Sequence, residues 1–296
     1  MKRISILHIN QFKHDHQDED FHVNLLETHL KTRHKDIAEP HSHNFYLAVL
    51  FTHGNGRHEI DFTTYNVQPG ALFFLNPGQT HHWELSEDVK GYIFFHTRDY
   101  YEMYYTHNKL SYFPFFYSMH SNPCIYLDAL QLKELTSYFG GIYSEGIKNL
   151  PLQKQAVMSF INLVYITCTR LYDSTETAAE PHNDNGYYQK FHQFEALVES
   201  HYIEHKLPVY YASQLFITPR HLNRIAQAVT GKTATDVILD RVLLEAKKEI
   251  VLRRGNFKSI AEILGYNDYA YFSRMFKLKT GETPGEFARR YINKID

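Results

Sequence analysis

The last third of the chain contains the same pattern of residues twice. Asn223-Arg224 lies 50 residues before Ser273-Arg274, and Thr230-Gly231 lies 50 residues before Thr280-Gly281. A repeat at a fixed offset indicates two copies of one supersecondary unit, and any fold of this chain has to accommodate both copies.

Each copy has the signals of two short helices joined by a turn. In the first copy, Thr218 can cap the second helix and Pro219 fits its first turn. In the second copy, Gly265 can end the first helix in the left-handed conformation, and Asn267 or Asp268 can cap the next helix. The pattern predicts two helix-turn-helix units, whose second helix enters the major groove of DNA.

The segment between the two copies predicts a single long helix. Residues 234 to about 254 contain regularly spaced apolar residues and no Pro or Gly. A helix of roughly 20 residues is about 30 Å long, and B-DNA presents the same groove on the same face after about 34 Å. We expect one rigid helix to hold two reading helices one turn of DNA apart.

Two runs carry a resemblance to a known family. Residues 265–277 read Gly-Tyr-Asn-Asp-Tyr-Ala-Tyr-Phe-Ser-Arg-Met-Phe-Lys, and residues 280–287 read Thr-Gly-Glu-Thr-Pro-Gly-Glu-Phe. Together they closely resemble the signature of AraC/XylS-type transcription regulators, over residues 205–292. The first copy departs at Phe216, where Gly would ease the turn; a left-handed residue other than Gly costs about 1–2 kcal/mol. The resemblance implies a sequence-specific transcription regulator, with activation and an RNA polymerase partner expected.

The charge is distributed unevenly between the two parts of the chain. Residues 187–296 hold 17 Lys and Arg against 12 Asp and Glu, whereas residues 1–186 hold 14 against 21. A basic module joined to an acidic one predicts that only the C-terminal part meets a polyanion, here double-stranded DNA.

The remaining composition favours a cytoplasmic protein. Cys124 and Cys168 are far apart in the sequence, which is typical of a reduced intracellular protein rather than a disulfide scaffold. The first residues lack the apolar core of a signal peptide, and no stretch of about 18 apolar residues predicts a membrane span.

Strands and turns dominate the prediction for residues 1–118. Alternate residues from His41 to Phe51 share one face, and Gly54-Asn55-Gly56 predicts a hairpin turn. Such closely spaced strands favour a small sandwich or barrel. The order of Pro-His-Ser-His (40–43) and the run 69–81 resembles the cupin-like sensor half of AraC-type regulators, which implies a jelly-roll barrel that binds a small-molecule effector.

We therefore expect an α+β chain with two domains: an N-terminal cupin-like β-barrel with helices, and a C-terminal all-α double helix-turn-helix domain. Residues 1–118 form the predicted barrel and residues 119–172 a helical segment, with amphipathic helices at 128–146 and 150–172. These helices either only cover the barrel or also pair two chains; the family implies a homodimer. Residues 173–186 are a polar linker, and residues 187–296 form the DNA-binding domain.

Polar residues on the two reading helices are the candidate DNA contacts. Arg can bind guanine with two hydrogen bonds, and Asn or Gln can bind adenine. The family resemblance places Arg220, Asn223 and Arg224 at base-contacting positions, with phosphate contact as the alternative for Arg224. Lys232, Lys277 and Lys279 are candidate phosphate contacts, with a solvated face as the alternative. The DNA-binding candidates are Arg220, His221, Asn223, Arg224, Gln227, Tyr269, Ala270, Tyr271, Arg274 and Lys277.

Three histidines and two aromatic residues are the candidate effector site. His41, His43 and His81 resemble the histidines of cupin metal sites, and three imidazoles can hold zinc or iron. The Glu that follows the first pair in cupin enzymes is absent here, so we predict an effector pocket with no metal, cofactor or catalytic residue. Its walls are His41, His43, His81, Trp83 and Tyr92.

Two other functions fit the same residues. One is a metal-dependent cupin enzyme with a DNA-binding tail, and the other is an effector-independent DNA-binding protein whose barrel only dimerises. Metal content would identify the first, and ligand-induced melting shifts would argue against the second.

Overall fold

The computed structural model describes residues 5–12, 19–37, 39–105, 109–116, 121–148, 150–175, 185–253 and 257–292 of the 296-residue chain. Residues 4–181 form one compact unit, and residues 182–296 belong to a second. Most of the predicted linker, residues 176–184, lies outside the described residues. Within the described ranges no helix combines the length and the apolar character needed to cross a membrane.

The N-terminal unit is built on two five-stranded sheets. Its strands are β1 (Ser5–Leu7), β2 (Phe21–Leu25), β3 (His41–His43), β4 (Tyr46–His53), β5 (Gly56–Ile60), β6 (Thr63–Val67), β7 (Ala71–Leu75), β8 (His81–Leu85), β9 (Lys90–His96) and β10 (Cys124–Tyr126). The first sheet has the order β1-β3-β8-β5-β6 and the second β10-β7-β4-β9-β2. The two sheets form a cupin-like sandwich rather than a closed barrel.

Alternation along β4 divides the N-terminal core into two layers. Leu47, Val49 and Phe51 pack with side chains from both sheets, whereas Ala48 and Leu50 pack towards the helices. The helices of this unit are α1 (Leu26–Ile37), α2 (Arg98–Glu102), α3 (Ala129–Gly146) and α4 (Gln153–Thr175). The arrangement is therefore sheet, sheet and helices, with apolar contacts at both interfaces.

Helices α3 and α4 correspond to the two amphipathic helices predicted from the sequence. They pack closely, because a Cβ on Gly141 would lie 2.6 Å from the ring of Phe160. Tyr165 of α4 also lies 2.6 Å, Oη to Nε2, from buried His96 at the end of β9. Two kinds of contact, apolar and polar, thus attach the helical layer to itself and to the second sheet.

One local prediction for the N-terminal unit was wrong. Gly54-Asn55-Gly56 does not close a hairpin, because β4 pairs with β7 and β9 while β5 pairs with β6 and β8. The hairpin lies instead between β5 and β6, where Asp61 and Phe62 both have positive φ (46° and 67°). The alternating residues share one inner face as predicted, since Phe45, Leu47, Val49 and Phe51 lie in one core cluster and His43 stacks on Phe45. The run is nevertheless divided between β3 and β4, which belong to different sheets. Helix α1 was not predicted.

The described residues of the C-terminal unit form helices joined by short turns. Its helices are α5 (Asn185–His201), α6 (Pro208–Gln214), α7 (Pro219–Thr230), α8 (Ala234–Arg253), α9 (Phe257–Ile263), α10 (Tyr269–Thr280) and α11 (Pro284–Ile292). The pairs α6–α7 and α9–α10 are the two predicted helix-turn-helix units, and α8 is the predicted long helix between them.

Candidate DNA interface and effector site

The first helix-turn-helix unit has the turn that its sequence predicts. Phe216 adopts φ 55°, so the turn is left-handed even without Gly, and its side chain is 95% exposed. Thr218 Oγ1 accepts a hydrogen bond from the backbone N–H of His221 at 3.1 Å, and Pro219 occupies the first turn of α7. These caps fix where the reading helix begins.

Helix α7 buries one face and exposes the candidate base-reading residues. Its buried side chains are Leu222, Ile225 and Ala226. Arg220, Arg224 and Gln227 are exposed on the rest of the helix.

The Arg224 guanidinium contacts the rings of His221 and Tyr187. Its Nη2 donates to His221 Nδ1 at 2.9 Å, and its guanidinium lies 5.6 Å from the centroid of the Tyr187 ring. The bracing limits the rotamers of an exposed Arg, which lowers the entropy lost when it binds a base.

Asn223 differs from the other candidates on α7. It is half-buried, and its Oδ1 accepts a hydrogen bond from the backbone N–H of Ala234, the first residue of α8, at 3.0 Å. The carbonyl that would bind a base therefore caps the next helix.

The second helix-turn-helix unit repeats the design with different residues. Gly265 ends α9 with φ 75°, and a Cβ there would lie 2.3 Å from the carbonyl oxygen of Ile203. Asp268 caps α10 by accepting from the backbone N–H of Ala270 at 2.7 Å. The turn requires Gly here, whereas the open turn at Phe216 does not.

Helix α10 presents a mixed aromatic and basic face. Ala270, Tyr271, Arg274 and Lys277 are exposed, and Tyr269 is half-buried. The opposite face buries Phe272, Met275 and Phe276. All the candidates on this helix therefore lie off its apolar side.

Helix α8 is one uninterrupted helix of 20 residues. At about 1.5 Å per residue it is about 30 Å long, and it packs against α5, α6, α7, α9 and α11. Its buried residues are Ala234, Val237, Ile238, Val242, Leu243, Ala246 and Ile250. A continuous apolar side on a packed helix makes α8 a stiff connection between the two helix-turn-helix units.

The N-terminal unit brings four of the five predicted effector residues together. His41 on β3 lies opposite His81 on β8, with ring centroids 4.4 Å apart, and His43 lies 5.2 Å from His81. Trp83 lies 5.1 Å from His81. His58 on β5, which the sequence analysis missed, completes the group at 5.2 Å from His81. We call these five residues the histidine cluster; each is at most 8% exposed.

Tyr92, the fifth predicted effector residue, lies elsewhere. It is half-buried on β9, and its ring centroid is 6.4 Å from those of Phe139 and Tyr143 on α3. The alternation of β9 directs it towards the helices, away from the histidine cluster.

Burial keeps His43, His58 and His81 neutral. Desolvation, assisted by the nearby His41, lowers the pKa of His43 to about 3. The same burial lowers the pKa of His58 and His81 well below the ordinary value, and neighbouring imidazoles add to the effect. Each of these three imidazoles therefore presents one N–H donor and one lone pair at neutral pH.

The hydrogen bonds of the histidine cluster assign some of these protons. His43 Nδ1 lies 2.7 Å from the carbonyl oxygen of Phe45, so it donates and leaves Nε2 as an acceptor. His58 Nε2 and His81 Nδ1 are 3.0 Å apart, so one of the two donates to the other. Within the described part of the chain, four buried atoms of the cluster have no hydrogen-bond partner: His43 Nε2, His58 Nδ1, His81 Nε2 and Trp83 Nε1. Unpartnered buried polar atoms are costly, and they mark a place for a polar ligand or water.

No three His, Cys, Asp or Glu side chains among the described residues are placed to hold a metal ion.

Comparison with known protein families gives a match in each of the two units. The family model of an AraC-like ligand binding domain matches residues 26–98, and that of a helix-turn-helix domain matches residues 211–290. The chain belongs to the AraC family of transcription regulators. The first match contains the histidine cluster and the second contains α7, α8 and α10. This AraC-family regulator thus has a ligand-binding domain and a DNA-binding helix-turn-helix domain.

Curated relatives extend over most of the chain. The transcriptional activator RhaS of Mannheimia succiniciproducens is 24% identical over 258 residues, which cover 85% of this chain and 90% of the relative. The arabinose operon regulatory protein of Escherichia coli is 21% identical, with 88% and 86% covered. Both relatives are transcription regulators.

The solved structure of ToxT from Vibrio cholerae covers 91% of this chain and 98% of that protein, at 13% identity and a TM-score of 0.42. The family assignment rests on the two family models.

Proposed function

We propose that this AraC-family regulator binds a specific double-stranded DNA sequence with α7 and α10 in successive major-groove segments. The unbroken α8 is the observation that carries the proposal, since this single packed helix connects the two helix-turn-helix units without a flexible joint. Arg220, Arg224 and Gln227 would read bases from α7, and Arg274 would do so from α10. The aromatic face of α10, Tyr269 to Tyr271, would contact thymine methyl groups or phosphates, and His221 would orient Arg224.

The histidine cluster supports an effector site. A hydroxyl group both donates and accepts, so it can satisfy the lone pair of His43 Nε2 and the N–H of Trp83. A carboxylate only accepts, and it would face that lone pair with no Lys or Arg in the cluster. We therefore propose a neutral effector that carries hydroxyl groups, bound by His41, His43, His58, His81 and Trp83. Tyr92 is left out of the proposed site.

Regulation would follow from a difference in effector affinity between two arrangements of the chain, because equal affinity shifts no equilibrium. We propose residues 1–118 and 119–172 as the sensing part, 173–186 as a linker and 187–296 as the DNA-binding domain. An exposed leucine on each of α3 and α4, Leu130 and Leu163, supports a homodimer through these helices. We further propose a cytoplasmic activator that contacts RNA polymerase and is not an enzyme.

Selection of duplexes from a random-sequence library tests DNA binding. The full chain should enrich one motif with two conserved segments about one helical turn apart. Arg224→Ala should lose preference at one base position within one segment. Enrichment of no motif would overturn the proposed function.

Thermal melting of the full chain tests the effector site. Each probe is a neutral polyol or sugar, paired with the carboxylate made by oxidising one terminal alcohol. Neutral members should raise the melting temperature, and His43→Gln or Trp83→Phe should abolish the shift while exposed His53→Gln preserves it. Stabilisation by the carboxylates alone would refute the proposed chemistry. No stabilisation by any member of the panel would favour an N-terminal domain that only dimerises. A tightly held stoichiometric metal in the purified chain would favour a cupin enzyme.

A further inference from the structure

Two of the three lysines predicted as phosphate contacts are engaged by α8. Lys232, just after α7, forms an ion pair with Asp240 of α8, Nζ to Oδ2 at 2.9 Å. Lys279, near the end of α10, forms an ion pair with Asp236 in the first turn of α8. Both ammonium groups thus attach a reading helix to the long spacer helix.

The repeat shows what the first pair does. Adding 50 to Lys232 and Asp240 gives Glu282 and Arg290, and these two residues also form an ion pair, Nε to Oε2 at 3.1 Å. The contact is present in both copies, but its charges are reversed. A phosphate contact needs a hydrogen-bond donor, whereas the Glu282 carboxylate has none and would repel a phosphate. The feature common to both copies is therefore the link between a reading helix and the helix that follows it.

Asn223 also links a reading helix to the helix that follows it. Its Oδ1 accepts from the N–H of Ala234 at the start of α8. Fifty residues on, the partner position is Pro284, which has no backbone N–H, and the position of Asn223 holds Ser273. The amide side chain occurs in the copy where there is an N–H to cap.

Asp236 connects the start of α8 with the end of α10. Thr233 caps α8, since its Oγ1 accepts from the backbone N–H of Asp236 at 3.1 Å. The Asp236 carboxylate in turn accepts from Thr233 Oγ1 at 2.5 Å, and it also receives the Lys279 ammonium. The Lys279 hydrogen bond is the main cause that lowers the pKa of Asp236. The first two turns of α8 therefore hold α7 through Asn223 and Lys232, and α10 through Lys279.

We propose that Asn223, Lys232 and Lys279 are positioning residues that fix both reading helices on the N-terminal half of α8, and that they make no DNA contact. The inference rests on the proposed DNA-binding function. It leaves Lys277, which is exposed, as the phosphate-contacting lysine of α10.

Salt dependence of DNA binding separates positioning from phosphate contact. The full chain is titrated onto the duplex that the wild-type chain selects, at several salt concentrations. The logarithm of the binding constant falls as the logarithm of the salt concentration rises, and loss of one phosphate contact reduces the magnitude of this negative slope by about 0.9. Lys277→Gln should show that loss. Lys279→Gln and Asp236→Asn should each weaken binding about twofold to fivefold with the wild-type slope, and the double variant should be no weaker than either single variant. A slope reduced by about 0.9 in Lys279→Gln, but not in Asp236→Asn, would overturn the proposal.

Exchange of charges tests the repeated pair independently. Lys232→Glu with Asp240→Arg installs the second copy's pair in the first copy. Each single variant should weaken binding, and the double variant should recover to within about twofold of wild type. A double variant weaker than both single variants would contradict the positioning role. Circular dichroism melting confirms that each variant is folded, and wild-type binding is measured first, so failure of DNA binding itself is distinguishable.

Discussion

Acidification below pH 6.5 should destabilise the N-terminal unit, because protons bind its buried histidines only after it unfolds. Four fully buried histidines, His43, His58, His81 and His96, have pKa values lowered mainly by desolvation. The folded state therefore excludes protons that the unfolded chain binds below the ordinary pKa of 6.5. Their contribution to stability is complete above pH 6.5 and is lost as the pH falls from there towards the folded pKa values.

The size of the effect follows from two of these groups. The pKa is lowered to about 3 for His43 and to about 4 for His96. At pH 5 each should reduce the free energy of unfolding by about 2 kcal/mol, and the two together by about 4 kcal/mol. His58 and His81 act in the same direction. A domain is stable by only about 5–15 kcal/mol, so the N-terminal unit should be close to unfolding at pH 5.

Urea unfolding followed by tryptophan fluorescence measures this directly. Trp83 is the only tryptophan of the chain, so its signal reports the N-terminal unit alone. The free energy of unfolding should fall by at least about 4 kcal/mol between pH 7.5 and 5.0. His43→Gln should show a fall smaller by about 2 kcal/mol, whereas exposed His53→Gln should behave as wild type. A wild-type change below about 1 kcal/mol, or the same change in His43→Gln, would refute the reasoning.

Two further predictions concern the C-terminal unit. Phe216→Gly should stabilise the chain by about 1 kcal/mol in thermal unfolding, because it removes the strain of a left-handed residue whose side chain is 95% exposed. Gly265→Ala should destabilise the chain by more than that, because its Cβ would meet the carbonyl oxygen of Ile203. Destabilisation by Phe216→Gly together with stabilisation by Gly265→Ala would contradict the account of the turns. Arg224→Ala or Arg274→Ala should relax preference at one base position by about 1–3 kcal/mol in competition binding, and a uniform loss over all sequences would make that Arg a phosphate contact.

Local signals in the sequence were sufficient for the C-terminal unit. Thr218, Gly265 and Asp268 each act within a few residues of their own position, and the repeat gave the same answer twice. The bounds of α8 followed from apolar spacing and the absence of Pro and Gly.

Strand pairing and side-chain partners could not be predicted in the same way. The Gly-rich turn at 54–56 has hairpin composition, but which strands pair depends on contacts far along the chain. Tyr92 was assigned to the effector site because alternation gives two faces without saying which one meets the other sheet. Lys279 has its partner, Asp236, 43 residues away, so its charge alone indicated DNA. The pairing of Lys232 with Asp240 could be predicted from the repeat, because the equivalent residues Glu282 and Arg290 carry the opposite charges.

The affinity for DNA whose two conserved segments are moved apart tests the central claim most directly. Five base pairs, half a helical turn, are inserted between the segments of the duplex selected by the full chain. Because α8 is one stiff helix, the two reading helices cannot follow the rotation, and affinity should fall by at least about tenfold. Unchanged affinity for the altered duplex would contradict a rigid spacing of one DNA turn.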